Sequence, residues 1–505
     1  MLKFFSDYLI YHVLFLVIFI LFVSCEKEVS VSPPDSPPPK GFVTISSKPQ
    51  SFKIFMEGKD RRRITPDSIT WLETGSYRFT LRKNLFRDTS FSVDVVEGEK
   101  KKCFIDFTLN PAMLGSIKIE SKPSSSLIFL NDSSTGLQTP TVIKALLPGY
   151  YEVRLRNTDH RDKKILVTVE SSKTSEVNSV LVDTTIWNDY TLENSQIASN
   201  NLTCLLSDNP QDKIYIGTAD MGLVVKENNL FANYNRNNSR VIDINIKSLY
   251  KTSGKLWIGT KEGVSVFDGI DFSLLIGKDM ILPIEKDIEA MFYNSEGEIV
   301  WLGTPNGMIR GVLSELTGNY IWGVVDNKDN DLKKGTWITS LCKDANNNLW
   351  IGTKEKGLAR INGLITTFFK KNGSSIPTDN ITSAALSEDG KEIYFLHDPA
   401  TANAGGISVF NPSFVKSFYL NQPSLKTRSI YVDRDKRIWI ASSIGIITFK
   451  DYPDMKILDS NNTGLNLEQA NGITQDGLGN IYFSTYGSGL IKLKADKIEH
   501  VVKKN

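Results

Sequence analysis

Outside the first 24 residues, histidine occurs in this chain only at His160, His397 and His500. Histidine is the side chain that titrates nearest neutrality, so proton-transfer chemistry has few places to sit. His160 lies in a polar stretch and His500 close to the C-terminal end. His397-Asp398 is therefore the pair with the composition of an acid–base site. Two acidic clusters, Asp433-Arg434-Asp435 and Asp476-Gly477-Leu478-Gly479-Asn480, have the residue types of calcium loops. Asp, Asn and Gly in such short runs also build hairpin turns, and that is the reading taken for both. No HExxH, nucleophile elbow or phosphate loop is present. Cys103, Cys204 and Cys342 are widely spaced and form no CxxC, so neither a zinc site nor a disulfide framework is indicated. The expectation is a non-enzyme without cofactor or metal.

The elements that must position these residues declare themselves by repetition. LWIGTKE stands at Leu256–Glu262 and again at Leu349–Glu355. Weaker versions complete a series of seven: IYIGT at Tyr215, LWIGT at Trp257, VWLGT at Trp301, LWIGT at Trp350, IYFLH at Tyr394, IWIAS at Trp439 and IYFST at Tyr482. The aromatics are spaced 42, 44, 49, 44, 45 and 43 residues apart, and a period in the forties built from strand-like units predicts a β-propeller. Each repeat reads as a strand, a polar turn, the aromatic core strand, a Gly turn, a third strand and a more variable fourth. Core strands apolar at both parities are expected where each sheet packs on neighbours through both faces. Trp or Tyr then fills the space between blades, and the Gly of IGT permits close backbone approach.

LWIGT(x)nG(L/V) after a D..GN-type turn resembles the two-component-regulator propeller repeat, from about Thr184 to the C-terminus. That repeat is known from periplasmic sensors of Bacteroidota hybrid two-component systems and from secreted propellers. Blade 5 departs from the pattern with Leu396-His397 and the longer turn HDPATANAGG (His397–Gly406), and blade 6 with Ala441-Ser442. Ring closure has two candidates, which could also share one blade: Ile186–Asn200 pairing with the last blade, or KIEHVV (Lys497–Val502) supplying its outer strand. No kinase, receiver or DNA-binding segment follows Leu493, so the expectation is a sensor-like propeller without its output.

A second repeat precedes the propeller. Ser47-Lys48-Pro49, Thr65-Pro66 and Gly75-x-Tyr77 recur as Ser121-Lys122-Pro123, Thr139-Pro140 and Gly149-x-Tyr151, always 74 residues on. Alternating runs such as FVTIS and YRFTL in the first copy, and SIKIE and YEVRL in the second, predict short strands. These copies resemble PEGA domains, extracytoplasmic β-modules with a SxP…G…TP…L.pG.Y pattern. The second keeps Gly136 and Leu147-Pro148-Gly149-Tyr150, whereas the first has Arg61-Arg62-Arg63 ahead of Thr65-Pro66, read as a solvated turn. The fold class expected is all-β: a seven-bladed β-propeller preceded by two small antiparallel β-sandwich modules.

At the N-terminus an apolar run (Tyr8–Ser24) ends at Cys25, and FVSC resembles the bacterial lipoprotein lipobox, which implies lipidation of Cys25. The alternative is an uncleaved signal anchor. VSVSPPDSPPPK (Val29–Lys40) is a Pro/Ser tether, and the acidic residue after Cys25 resembles Bacteroidota surface-export signals. The domains expected are a signal peptide (1–24), lipidated Cys25 with its tether (25–40), two PEGA-like modules (41–111 and 112–183) and the propeller (184–505). Lys plus Arg (59) nearly balances Asp plus Glu (57), which excludes an electrostatic case for nucleic acid.

These readings together imply an outer-membrane lipoprotein, periplasmic or surface-facing, held to the membrane by its lipid anchor. Its propeller is expected to bind a glycan or a protein ligand, with glycan favoured by the family resemblance alone. Candidate ligand-binding residues in the turns after the core strands are Asp220, Lys261, Glu262, Asn306, Lys354, Glu355, His397, Asp398 and Tyr486. Trp322 and Trp337 are further aromatic candidates, with buried packing expected of each. The alternatives are a carbohydrate lyase centred on His397 and Asp398, and an adhesive scaffold that binds another protein.

Overall fold

The computed structural model describes residues 39–208, 213–252, 254–277, 282, 284–295, 297–325, 332, 334–363, 365–374, 376–399, 405–411, 414–422 and 425–503. The signal segment, Cys25 and nearly all of the tether lie outside these residues, as do residues 400–404 of the long blade 5 turn. The chain divides into two compact units. One holds residues up to Lys118 with Val142–Tyr151 and Leu166–Glu176, and the other holds Ile119–Thr141, Glu152–Ile165 and Val177–Asn505.

The first module is a sandwich of a three-stranded sheet (Asp67–Glu73, Lys40–Lys48 and Lys100–Asp106, in that order) and a four-stranded one (Lys59–Ile64, Lys53–Met56, Gly75–Arg82 and Thr89–Val95). Alternation along the strands sends Val43, Ile45, Ile54, Phe79, Leu81, Val93 and Val95 into one core, where Phe52 stacks on Phe107 at 4.2 Å. The three-stranded sheet is mixed rather than antiparallel, because Lys40–Lys48 pairs in parallel with Lys100–Asp106. The whole second sheet intervenes between these two strands and supplies the long connection that a parallel pair needs. The second copy repeats the strand order of both sheets.

The residues that recur 74 apart form a clasp. Ser47 Oγ lies 2.5 Å from Thr65 Oγ1, and Ser121 Oγ lies 2.6 Å from Thr139 Oγ1. Each threonine hydroxyl also accepts a backbone N–H, from Phe52 and Ser126 respectively, at 3.1 Å. Buried hydroxyls are retained here because every one is partnered.

The remainder is the propeller, seven four-stranded sheets, six of which run outward in chain order. The first strands begin at Leu202, Ile246, Ala290, Ile338, Ile381, Thr427 and Ala470; each touches the next, and the last touches the first. These are therefore the inner strands around the axis. Blade 7 is composite: Trp187–Tyr190 pairs antiparallel with Leu490–Leu493, in register Trp187↔Leu493 to Tyr190↔Leu490. Of the two closures left open by the sequence, the N-terminal strand is the one formed, and Ile498–Val502 is a short helix.

The IGT glycine lies where one blade meets the next. A Cβ on Gly303 would stand 2.6 Å from Ile338 Cγ2, and one on Gly352 would stand 2.8 Å from Ile381 Cγ2. The glycine is lost in three blades: after Leu396 and Ala441 the following blade opens on the smaller Thr427 and Ala470, whereas after Ser484 it opens on Leu202. Trp350 and Trp439 fill the space between blades, as the spacing implies, but they also donate Nε1–H to Asp344 and Asp433, each at 2.8 Å. The D..GN turn and the tryptophan are thus one unit.

Candidate functional site

Antiparallel geometry places every turn that follows a core strand at the same end of its blade, beside the loop that enters the next inner strand. Six blades build this turn in one way. The hydroxyls of Thr218, Thr260, Thr304, Thr353, Ser442 and Thr485 donate to the carbonyls of Gly222, Gly263, Gly307, Gly357, Gly445 and Gly489, at 2.7–3.0 Å. The closing glycine has positive φ in each of these turns, for example +78° at Gly357, a conformation that costs a residue with Cβ. The seven turns therefore ring one face around the axis. This is the candidate site.

In blade 5 the hydroxyl position is His397, and its environment removes it from the set of ligand contacts. The imidazole is fully buried, with Nδ1 2.7 Å from the Thr378 carbonyl and Nε2 2.6 Å from Ser408 Oγ. Burial lowers its pKa from 6.5 to about 4, so the ring is neutral near pH 7. Asp398 is half-buried, and its carboxylate accepts the Thr427 N–H at 2.8 Å and the Thr427 hydroxyl at 3.2 Å. Both residues tie blade 5 to its surroundings. A neutral imidazole with both nitrogens bonded and no exposed surface offers nothing to a substrate.

The other candidates do come to this face. Lys261, Lys354, Glu355 and Asp220 are exposed, Glu262 and Asn306 are half-buried, and Tyr486 is 56% exposed. Asp220 accepts from Asn201 Nδ2 at 3.0 Å. Asn306 is held by its backbone, its N–H bonded to Thr304 Oγ1 and its carbonyl to the Gly335 N–H. The two tryptophans separate. Trp322 packs in the core between blades 2 and 3, its ring where a Cβ on Gly311 would clash at 2.5 Å. Trp337 is 37% exposed at the entry to blade 4, with the Lys354 ammonium 4.1 Å from its ring centroid. Packing was the expectation for both, and Trp337 departs from it because it precedes the inner strand rather than lying within a sheet.

A set of residues missed in the sequence lies just inside this face. Strand pairing slips after the first residue of six inner strands, so Thr203, Lys247, Thr339, Thr382, Arg428 and Asn471 sit at bulges. Bulges re-aim side chains, and here five of the six reach the next blade. Asn471 donates to Leu202 O at 3.0 Å, Thr203 to Ile246 O at 2.7 Å, Lys247 to Glu289 at 3.2 Å, and Arg428 to Ala470 O at 3.2 Å; Thr382 and Thr427 share a hydroxyl contact of 3.2 Å. The signal was a polar residue recurring at the second place of a strand, as in the two copies of Ile-Thr-Ser.

At the opposite end of the blades the calcium-like clusters are turns. Asp433 Oδ1 accepts from the backbone of Asp435 and Arg437, and Asp476 binds the backbone and side chain of Asn480. Among the described residues no group of three or more His, Cys, Asp or Glu is placed to hold a metal. Cys204 and Cys342 are half-buried, and desolvation pushes their thiol pKa values up, to about 12 at Cys204. Among the described residues no helix is long and apolar enough to cross a membrane.

Comparison with known proteins adds two local matches. A PEGA domain matches residues 114–185, and a two component regulator propeller matches residues 333–355. No curated protein matches the chain. Among solved structures, the extracellular domain of a putative hybrid two component system from B. thetaiotaomicron is 19% identical over 61% of this chain and 41% of that one, with a TM-score of 0.48. The virginiamycin B lyase of Staphylococcus aureus is 16% identical over 61% of this chain and 98% of that one, with a TM-score of 0.47. PorZ, a surface component of the type-IX secretion system of Porphyromonas gingivalis, is 12% identical over 86% of this chain and 57% of that one, with a TM-score of 0.46. This chain thus spans about two-fifths of the first of these.

Proposed function

We propose that this is an exported protein, anchored in the outer membrane through lipidated Cys25, whose propeller binds an extracellular ligand without transforming it. The binding surface is the ring of turns that follow the core strands. One observation carries this reading: Trp337 stands exposed on that face beneath the Lys354 ammonium, while His397 and Asp398 are bonded into the scaffold. A solvent-facing indole with polar neighbours suits stacking on a sugar ring, and Lys261, Glu262, Glu355 and Tyr486 supply hydroxyl partners and a second ring. Glycan is accordingly the ligand class.

The test is a glycan-array screen of the soluble chain starting at Glu26, with melting temperature recorded for each hit. A saturable hit that raises the melting temperature is expected, since a ligand that binds only the folded state stabilises it. Trp337→Ala should weaken that hit about tenfold or more while leaving the melting temperature of the free protein nearly unchanged. A clean negative on well-folded protein rejects the glycan class and favours a protein ligand. Turnover of the hit rejects the non-catalytic reading.

A further inference from the structure

The first module carries a surface that the fold does not require. In its three-stranded sheet, parallel pairing sets Phe42 beside Lys100 and Ser46 beside Phe104, all on the face turned away from the core. Trp71 joins them from the neighbouring edge strand, where the register slips opposite Phe42 and the backbone of Trp71 adopts φ +64°. Positive φ is costly for a bulky side chain, and here it turns the indole outward, 5.8 Å from the Phe42 ring and 6.0 Å from the Lys40 ammonium. Trp71 is 69% exposed and Phe104 64% exposed, and Lys40, Lys100 and Lys102 are exposed around them. Two acids share this face: Asp106, which is paired with Lys48, and exposed Glu73, which lies opposite Lys40, so lysines remain in excess over acids.

The second module supplies an internal control. At the same offset of 74 residues it has Ser116 for Phe42, Ala145 for Trp71, Thr174 for Lys100, Glu176 for Lys102 and Asn178 for Phe104. The backbone is unchanged, because Ala145 keeps the positive φ at +60°. One copy thus tolerates small, neutral or acidic residues at five positions where the other exposes aromatic rings and ammonium groups, and has Leu114 in place of Lys40. The folded state gains nothing from an indole in water, so the difference calls for an occupant.

We infer that this face of the first module rests on an anionic phospholipid surface. Trp and Phe rings flanked by lysines are the side chains that settle at a bilayer interface, the rings among the headgroups and the ammonium groups toward lipid phosphate. Proximity supports it, because the strand beginning at Lys40 is where the tether ends. From Cys25 to Lys40 an extended chain spans at most roughly 50 Å, which keeps this face near whatever holds Cys25. That step rests on the lipid-anchor reading; the chemistry of the face does not.

The test uses the chain from Glu26, which lacks Cys25, so its result does not depend on lipidation. Co-sedimentation is measured with phosphatidylcholine vesicles, with and without about 30% phosphatidylglycerol. The chain should partition at least about tenfold more strongly onto the anionic vesicles, and added salt should weaken it. Two variants take residues from the second module: Trp71→Ala with Phe104→Asn, and Lys100→Thr with Lys102→Glu. Each should lose most of this partitioning, and each should fold because the second module carries those residues on the same backbone. Absence of binding to anionic vesicles overturns the inference. So does binding that both folded variants retain.

Discussion

At position 397 an imidazole stands where six blades have a hydroxyl, and the substitution has a thermodynamic consequence. The free side chain titrates near 6.5, while the folded one is lowered to about 4 by burial. The unfolded chain therefore binds a proton across that interval while the folded chain does not, so stability is complete above about pH 6.5 and falls as the pH drops toward 4. The loss attributable to this residue is about 2–3 kcal/mol. His397→Thr restores the residue type of the other blades and should flatten this part of the profile, although it is less stable at pH 7 because of the volume removed. Urea midpoints of the propeller transition at pH 7 and pH 4.5 would check this, and an unchanged slope in the variant would refute it. The residue was conspicuous in the sequence because it broke a repeat, but a break in a repeat does not say whether the new side chain turns outward or inward. Trp337 gave the opposite error, since nothing in its type distinguishes a packed indole from an exposed one.

Among the elements, contact between blades is set by pairs of residues that never neighbour each other in sequence. Gly303 faces Ile338, and a Cβ at 303 would also stand 3.0 Å from the Ile338 Cβ, an atom that cannot rotate away. Gly303→Ala should therefore cost about 1–3 kcal/mol. Combined with Ile338→Ala it should be less costly than the sum of the two single changes, because they share one contact. Additive effects in thermal or urea unfolding would contradict this packing account. The blades themselves were legible, because a period in the forties with a fixed aromatic strand leaves few alternatives. The bulged inner residues and the Trp–Asp bonds were not, since each joins a residue to a partner chosen by register. The parallel pair in the first module escaped for the same reason: alternation marks strands but not their direction.

For the whole propeller the question is how a ring of seven sheets stays closed. Trp187, 3% exposed and 6.4 Å from Phe483, belongs to the strand that completes blade 7 from the far end of the propeller sequence. Trp187→Ala should cost about 3–5 kcal/mol and weaken closure itself. Val502→Ala, in the terminal helix beside the same core, should cost much less. Equal losses in the two variants would mean that the helix, not the strand, secures the ring. Closure matters for function because it holds the seven turns at fixed spacing, a preorganised surface that binds without first paying to order its loops.

The central claim is that ligand meets the propeller on that ring of turns. Hydrogen–deuterium exchange of the chain from Glu26, with and without a saturating glycan hit, tests it most directly. Protection should appear in the turns near Asp220, Lys261, Asn306, Lys354 and Tyr486 and at the approach to blade 4 around Trp337. Protection confined to the opposite turns, near Asp344, Asp433 and Asp476, or to the first module would contradict the account.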